Sequence, residues 1–177
     1  MSLPIRNILR FILIIGIQVL VLNNVTVRSM INPDGFPAFT PYIYPLFILL
    51  LPANTPSWAL LLVGFFTGLT VDAFMQTWGM HAAAATLIAF IRPIVLKSLL
   101  QVNPKDNLSF SPGLGKLGFQ SYLIYAGILV FVHHLFYFIL ETWSFGHPIF
   151  LVLKLLLSTV CSLVLILIYE IFSYRKQ

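Results

Sequence analysis

Few residues in this chain could do chemistry, and most of those lie inside apolar runs. Asp72 ends the series Gly64, Gly68, Asp72, spaced four residues apart and therefore on one helix face. A carboxylate in hydrocarbon costs about 2.5 to 3.5 kcal/mol, so that face must meet protein or water rather than lipid. Lys154 lies in the last apolar run. Counted along helices at about 1.5 Å per residue, Asp72 lies roughly 7 to 8 Å from the outer surface and Lys154 roughly 10 Å, with His133 and His134 at about 10 Å. The sequence thus suggests a polar cluster in which Asp72 pairs with Lys154 and a histidine joins. That pairing predicts that Lys154→Met relieves the loss caused by Asp72→Asn. Arg92, roughly 20 Å from the same surface, is too deep to reach Asp72. It is expected to snorkel towards the cytoplasm, helped by the helix break that Pro93 permits, or to bond carbonyls freed there.

Other chemistries lack their residues. His81, His133, His134, His147 and Glu141 could be imagined around a metal, but HExxH and cysteine ligands are missing and the adjacent histidines point to different faces. Neither metal nor cofactor is expected. Intramembrane aspartyl proteolysis needs two carboxylates sharing a proton, and only Asp72 is deep in a helix; there is no GxSxG elbow either. Gly113, Gly115 and Gly118 spell GxGxxG, but they precede a membrane span rather than following a strand, so a dinucleotide site is rejected. The sequence points to a protein that is not an enzyme. Gly64 and Gly68 also form a GxxxG, which serves packing within a chain or association with a partner; internal packing is expected.

The elements that position these residues are membrane spans. At 59% hydrophobic, 8% charged and a mean hydropathy of +0.97, 177 residues are too apolar for a soluble domain. The net charge of +5 sits in residues scattered at the ends of apolar runs, which is a topology signal rather than a nucleic-acid face. Cys161 is the only cysteine and is assigned to packing. Arg6 and Arg10 before Phe11 to Leu22 imitate a signal peptide, yet Asn23, Asn24, Val25 and Thr26 offer no small-residue cleavage site, so an uncleaved first span is expected.

One domain with an all-α, polytopic bundle of about six helices is predicted, over residues 8–27, 41–53, 57–77, 79–100, 119–140 and 147–172. The second is short and carries Pro45, so by length it could be a re-entrant segment, a tilted span or a span extended by its flanks. Parity favours a crossing: with six spans, Arg6, Arg10, Lys97, Lys105, Lys116, Arg175 and Lys176 share the cytoplasmic side with both termini, and only Arg28 opposes them. Trp58, Trp78, Trp143, Tyr42, Tyr44, Tyr169 and Tyr174 are expected in the two interfacial aromatic belts. The connection Gln101 to Gly118 is basic and rich in Pro and Gly, a solvated connector that could also serve contacts through Lys105 and Lys116.

The stretch Gly68, Leu69, Thr70, Val71, Asp72, then Gly79, Met80, His81 and Ala82, resembles the signature of the MreD family, GLxxD followed by Gly and a small-residue helix. Chain length, span number, basic termini and the short Pro-bounded segment agree with that family, whereas the high aromatic content and Lys154 depart from it. The resemblance implies a non-catalytic scaffold in the bacterial inner membrane. It would pair with MreC and help couple MreB filaments to RodA and its partner transpeptidase during wall elongation. The family is also thought to resemble the substrate-binding S-components of energy-coupling-factor vitamin transporters, so a solute-binding subunit is the alternative. That alternative needs an outward-facing cavity, which Asp72, His133, Lys154 and Glu141 could line. Gly64, Gly68, Asp72, Gly79, His81, Ala82, Arg92 and Lys154 are the candidate structural and partner-interface residues.

Overall fold

The computed structural model describes residues 3–24, 27–28, 37–100, 110–142 and 148–174. Lys105, Trp143, His147, Arg175 and Lys176 lie outside the described residues. In chain order the protein forms α1 (Leu3–Leu20), a 3-10 turn (Leu22–Asn24), the paired antiparallel strands β1 (Val27–Arg28) and β2 (Pro37–Phe39), α2 (Pro45–Leu49), α3 (Ser57–Met75), α4 (Met80–Leu100), α5 (Leu114–Leu117), α6 (Phe119–Thr142) and α7 (Pro148–Tyr174). Helices α1, α3, α4, α6 and α7 are long and apolar enough to cross a membrane. The first helix ends earlier than expected because the Asn24 side chain bonds the Leu20 carbonyl at 3.0 Å and closes its last turn.

The outward faces carry Phe65, Phe66, Phe74, Phe90, Ile94, Val160 and Ile168, all exposed, while Gln18, Thr67, Asp72, His81, Arg92, His133, Ser158 and Ser162 are buried. That distribution, apolar outside and polar inside, is what lipid demands of a bundle. The chain is a multi-pass membrane protein built as an all-α bundle. Trp58 and Trp78 are largely exposed near helix ends, as a belt requires, but Tyr42 and Tyr44 are fully buried and belong to the core.

The predicted second span is the main correction. Residues 41–53 do not form a spanning helix; irregular chain at 41–43 leads into a turn at Tyr44, the five residues of α2 and a closing turn at Leu50 and Leu51. Tyr44 lies beside His81 at the start of α4, whereas Leu51 and Pro52 lie beside Arg92, eleven residues and roughly 16 Å further along that helix. Ala53 then bonds the Phe110 carbonyl at 2.9 Å, and α3 starts back at Ser57. The Tyr44 side chain supplies part of that reach, since it is its hydroxyl that meets His81.

Irregular backbone survives at membrane depth only where protein satisfies it. Every residue from Pro41 to Leu51 is buried, and the surrounding helices supply the partners. Ser158 Oγ accepts from Thr40 N at 2.9 Å, Ser162 Oγ from Tyr42 N at 2.8 Å, and Gln18 Oε1 from Ile43 N at 2.8 Å and Tyr44 N at 3.4 Å. Gln18→Leu would strand two buried amides, and a loss of about 1 to 3 kcal/mol is expected in denaturant unfolding in mild detergent.

Helices α3 and α4 form the closest pair. A Cβ built on Gly64 would meet Ala85 O and Ala89 Cβ at 2.9 Å, and one on Gly68 would meet the His81 carbonyl and, at 2.5 Å, Ala82 Cα. The GxxxG face is thus pressed against the alanine face of α4, with backbone on both sides unable to yield. Gly68→Ala is expected to cost about 1 to 3 kcal/mol by overpacking. Gly127→Ala, where a Cβ meets nothing within 4 Å, supplies the control and should be neutral or slightly stabilising.

Candidate functional site

Two ends of the bundle can be told apart. The start of α1, the segment 110–117 and the end of α7 meet at one end, here the near end, around a shared pocket. The turn between α3 and α4 marks the far end.

At the far end, α3 closes on Gln76, whose φ of 57° is left-handed, and Trp78 and Gly79 also take positive φ. This tight reversal brings the first turn of α4 back over Asp72. Its carboxylate accepts from Ala82 N at 2.8 Å, His81 N at 3.1 Å and Thr77 Oγ1 at 2.6 Å. With α4 starting at Met80, the first two are amides that no helical carbonyl can reach, so Asp72 acts as an N-cap supplied by the preceding helix. A negative charge there also faces the positive end of the α4 dipole. Gly68, Asp72, Gly79, His81 and Ala82 therefore form one clasp, in which Gly68 permits the approach, Gly79 the turn and Asp72 the cap.

The expected Asp72 and Lys154 pair does not form. Lys154 Nζ bonds Glu141 Oε2 at 2.5 Å and lies 4.6 Å from the centre of the Phe138 ring. Backbone amides and Thr77 satisfy Asp72 without a cation, while Glu141, across the α6–α7 connection, takes the lysine. Depth along a helix gave the two residues the same level but not the same side.

Arg92 is likewise corrected. It is fully buried, and α4 continues through Pro93 as one helix. The guanidinium turns inward: Nε donates to Tyr125 Oη at 2.9 Å, Nη2 donates to the Leu51 carbonyl, and the Leu49 and Pro52 carbonyls lie at 3.4 to 3.5 Å. Tyr125 Oη in turn donates to Leu49 O at 2.8 Å. The carbonyls belong to the end of α2 and the chain after it, not to the turn that Pro93 disturbs.

Between these levels lies a buried aromatic and imidazole cluster. Tyr44 Oη lies 3.0 Å from His81 Nδ1 and also hydrogen-bonds His133 Nε2. His134 Nδ1 bonds Val130 O at 2.8 Å and its Nε2 bonds Ser162 Oγ at 3.1 Å. The His81 and Tyr137 rings stack at 4.4 Å, and Tyr42 meets His81 edge-on at 4.9 Å. Among the described residues no group of three His, Cys, Asp or Glu side chains is placed to hold a metal ion.

Sequence reasoning assigned no role to Gln18, Tyr125, Ser158, Ser162 or Glu170. The signal was available: a short, Pro-containing apolar run that must cross needs polar side chains on the neighbouring spans to serve its backbone. Comparison of the chain with family models, with characterised proteins and with solved structures finds no match.

Proposed function

We propose that this protein is a non-catalytic membrane scaffold of the bacterial cell-elongation machinery, of the MreD kind, with MreC as its direct partner and the wall synthases and MreB as further members of the assembly. The observation that supports this over the S-component reading is the state of the far-end polar residues. Asp72 is held within the α3–α4 clasp, Lys154 pairs with Glu141, and His81, His133 and His134 are packed among Tyr42, Tyr44 and Tyr137. A solute site would need these groups around open volume. The near end, which carries Arg6, Arg10, Lys97 and Lys116, is assigned to the cytoplasm by the positive-inside rule.

For MreC, the surface proposed is the open groove of about 660 Å³ between α3 and α4, floored by Gly79, Ala82, Ala83 and Thr86 and walled by Phe65 and Phe90. Small residues admit a single partner helix closely. Co-purification of the tagged chain from its own membranes is the test. Recovery of MreC and the wall synthases is expected, with MreC reduced at least about tenfold in Ala83→Phe, the equivalent of about 1.4 kcal/mol. Recovery of an ATPase pair with a membrane coupling subunit would overturn the scaffold.

A further inference from the structure

The pocket at the near end has a volume of about 410 Å³ and is lined by Arg6, Arg10, Lys116, Ser111, Gly113 and Glu170, among others. Among the described lining residues the charges do not cancel, since three cations stand against one carboxylate. Arg6 Nε, Arg10 Nη1 and Ser111 Oγ are buried and find no hydrogen-bond partner among the described residues. Polar donors turned from water and given no acceptor are costly, and two guanidinium donors and a hydroxyl around one pocket suit a multivalent oxygen acceptor. Glu170 Oε2 accepts from Leu114 N at 2.8 Å and offsets part of the Arg10 charge, but it accepts no hydrogen bond from Arg6 Nε, Arg10 Nη1 or Ser111 Oγ. The pocket sits at the near end of the bundle, where α1 begins and α7 ends.

We propose that this pocket binds a phosphate-bearing anion, with Arg6, Arg10 and Ser111 donating to the phosphate oxygens and Lys116 at the rim. Basic pockets between spans suit phospholipid headgroups, and a soluble phosphate would use the same donors. The inference rests on the pocket alone and is independent of the scaffold reading.

The full-length protein, purified in mild detergent and examined by native mass spectrometry, is titrated with phosphatidylglycerol and, separately, phosphatidylcholine. Preferential retention of phosphatidylglycerol is expected. The double variant Arg6→Gln, Arg10→Gln should bind it roughly 25-fold more weakly, about fivefold per cation. Lys97→Gln, an exposed charge at the same end but outside the pocket, should stay within about twofold of the wild type. Glu170→Gln should tighten binding by about fivefold, a gain that misfolding cannot imitate. Displacement of the lipid by millimolar inorganic phosphate would identify a free phosphate as the ligand source, and resistance to it a lipid headgroup. Unchanged binding in the arginine double variant, an equal loss in Lys97→Gln, or no gain in Glu170→Gln would each overturn the site.

Discussion

Arg92→Lys is expected to destabilise the bundle by about 3 to 5 kcal/mol, more than the roughly 2 to 3 kcal/mol expected for Arg92→Met. The order is the informative part. Arg92 has no carboxylate among its hydrogen-bond partners; its charge is held by Tyr125 Oη and by the carbonyls of Leu49, Leu51 and Pro52, at the negative end of α2. A planar fork can reach several of these at once, whereas an ammonium on a flexible stem keeps the charge and loses the geometry. Methionine strands the carbonyls but removes the charge with the donors, so it is the milder change. An arginine that snorkelled to the surface would behave in the opposite way, because lysine snorkels equally well. Denaturant titration in mild detergent, followed by circular dichroism, separates the two. A value for Arg92→Lys within about 0.5 kcal/mol of the wild type would remove Arg92 from the support of the crossing segment.

The same residue shows what a sequence can and cannot reveal. Its depth was legible, since helical rise is fixed, and so was the need to satisfy its charge. Its partners were not, because backbone carbonyls carry no residue code, and the chain that supplies them is some forty positions away. Tyr42 and Tyr44 were placed at an interface for a related reason. They stand at the start of an apolar run, yet the chain is already inside the bundle at Thr40, whose amide bonds Ser158 ten residues into α7. A run that crosses as irregular chain around one short helix breaks the rule that its ends mark the membrane surface. By contrast, the α3–α4 pair could be read closely, because the residues that join it are separated by one turn. Gly64, Gly68 and Asp72 share a face by helical period alone, and the Thr77 to Gly79 turn fixes what that face must meet. Local constraints were visible in proportion to how few residues separate the partners.

Asp72→Ala is expected to cost about 3 to 4 kcal/mol, and Asp72→Asn about 1 to 2 kcal/mol. Alanine leaves the amides of His81 and Ala82 and the Thr77 hydroxyl without their acceptor, in a site with Asp72 only 5% exposed. Asparagine keeps one acceptor oxygen but turns a donor towards the second amide and gives up the charge opposite the α4 dipole. Lys154→Met removes a pair between Lys154 and Glu141 that retains some exposure, and should cost about 1 kcal/mol or less. The two residues share no partner, so the double variant Asp72→Asn, Lys154→Met should lose the sum of the single losses to within about 0.5 kcal/mol. Had the carboxylate depended on the lysine, removing the lysine from the Asp72→Asn variant would cost nothing further, and the cycle would show a coupling of about 1 kcal/mol or more. That coupling would reinstate the ion pair, whereas additivity leaves the cap of α4 as what holds a buried carboxylate with no cation among its described hydrogen-bond partners.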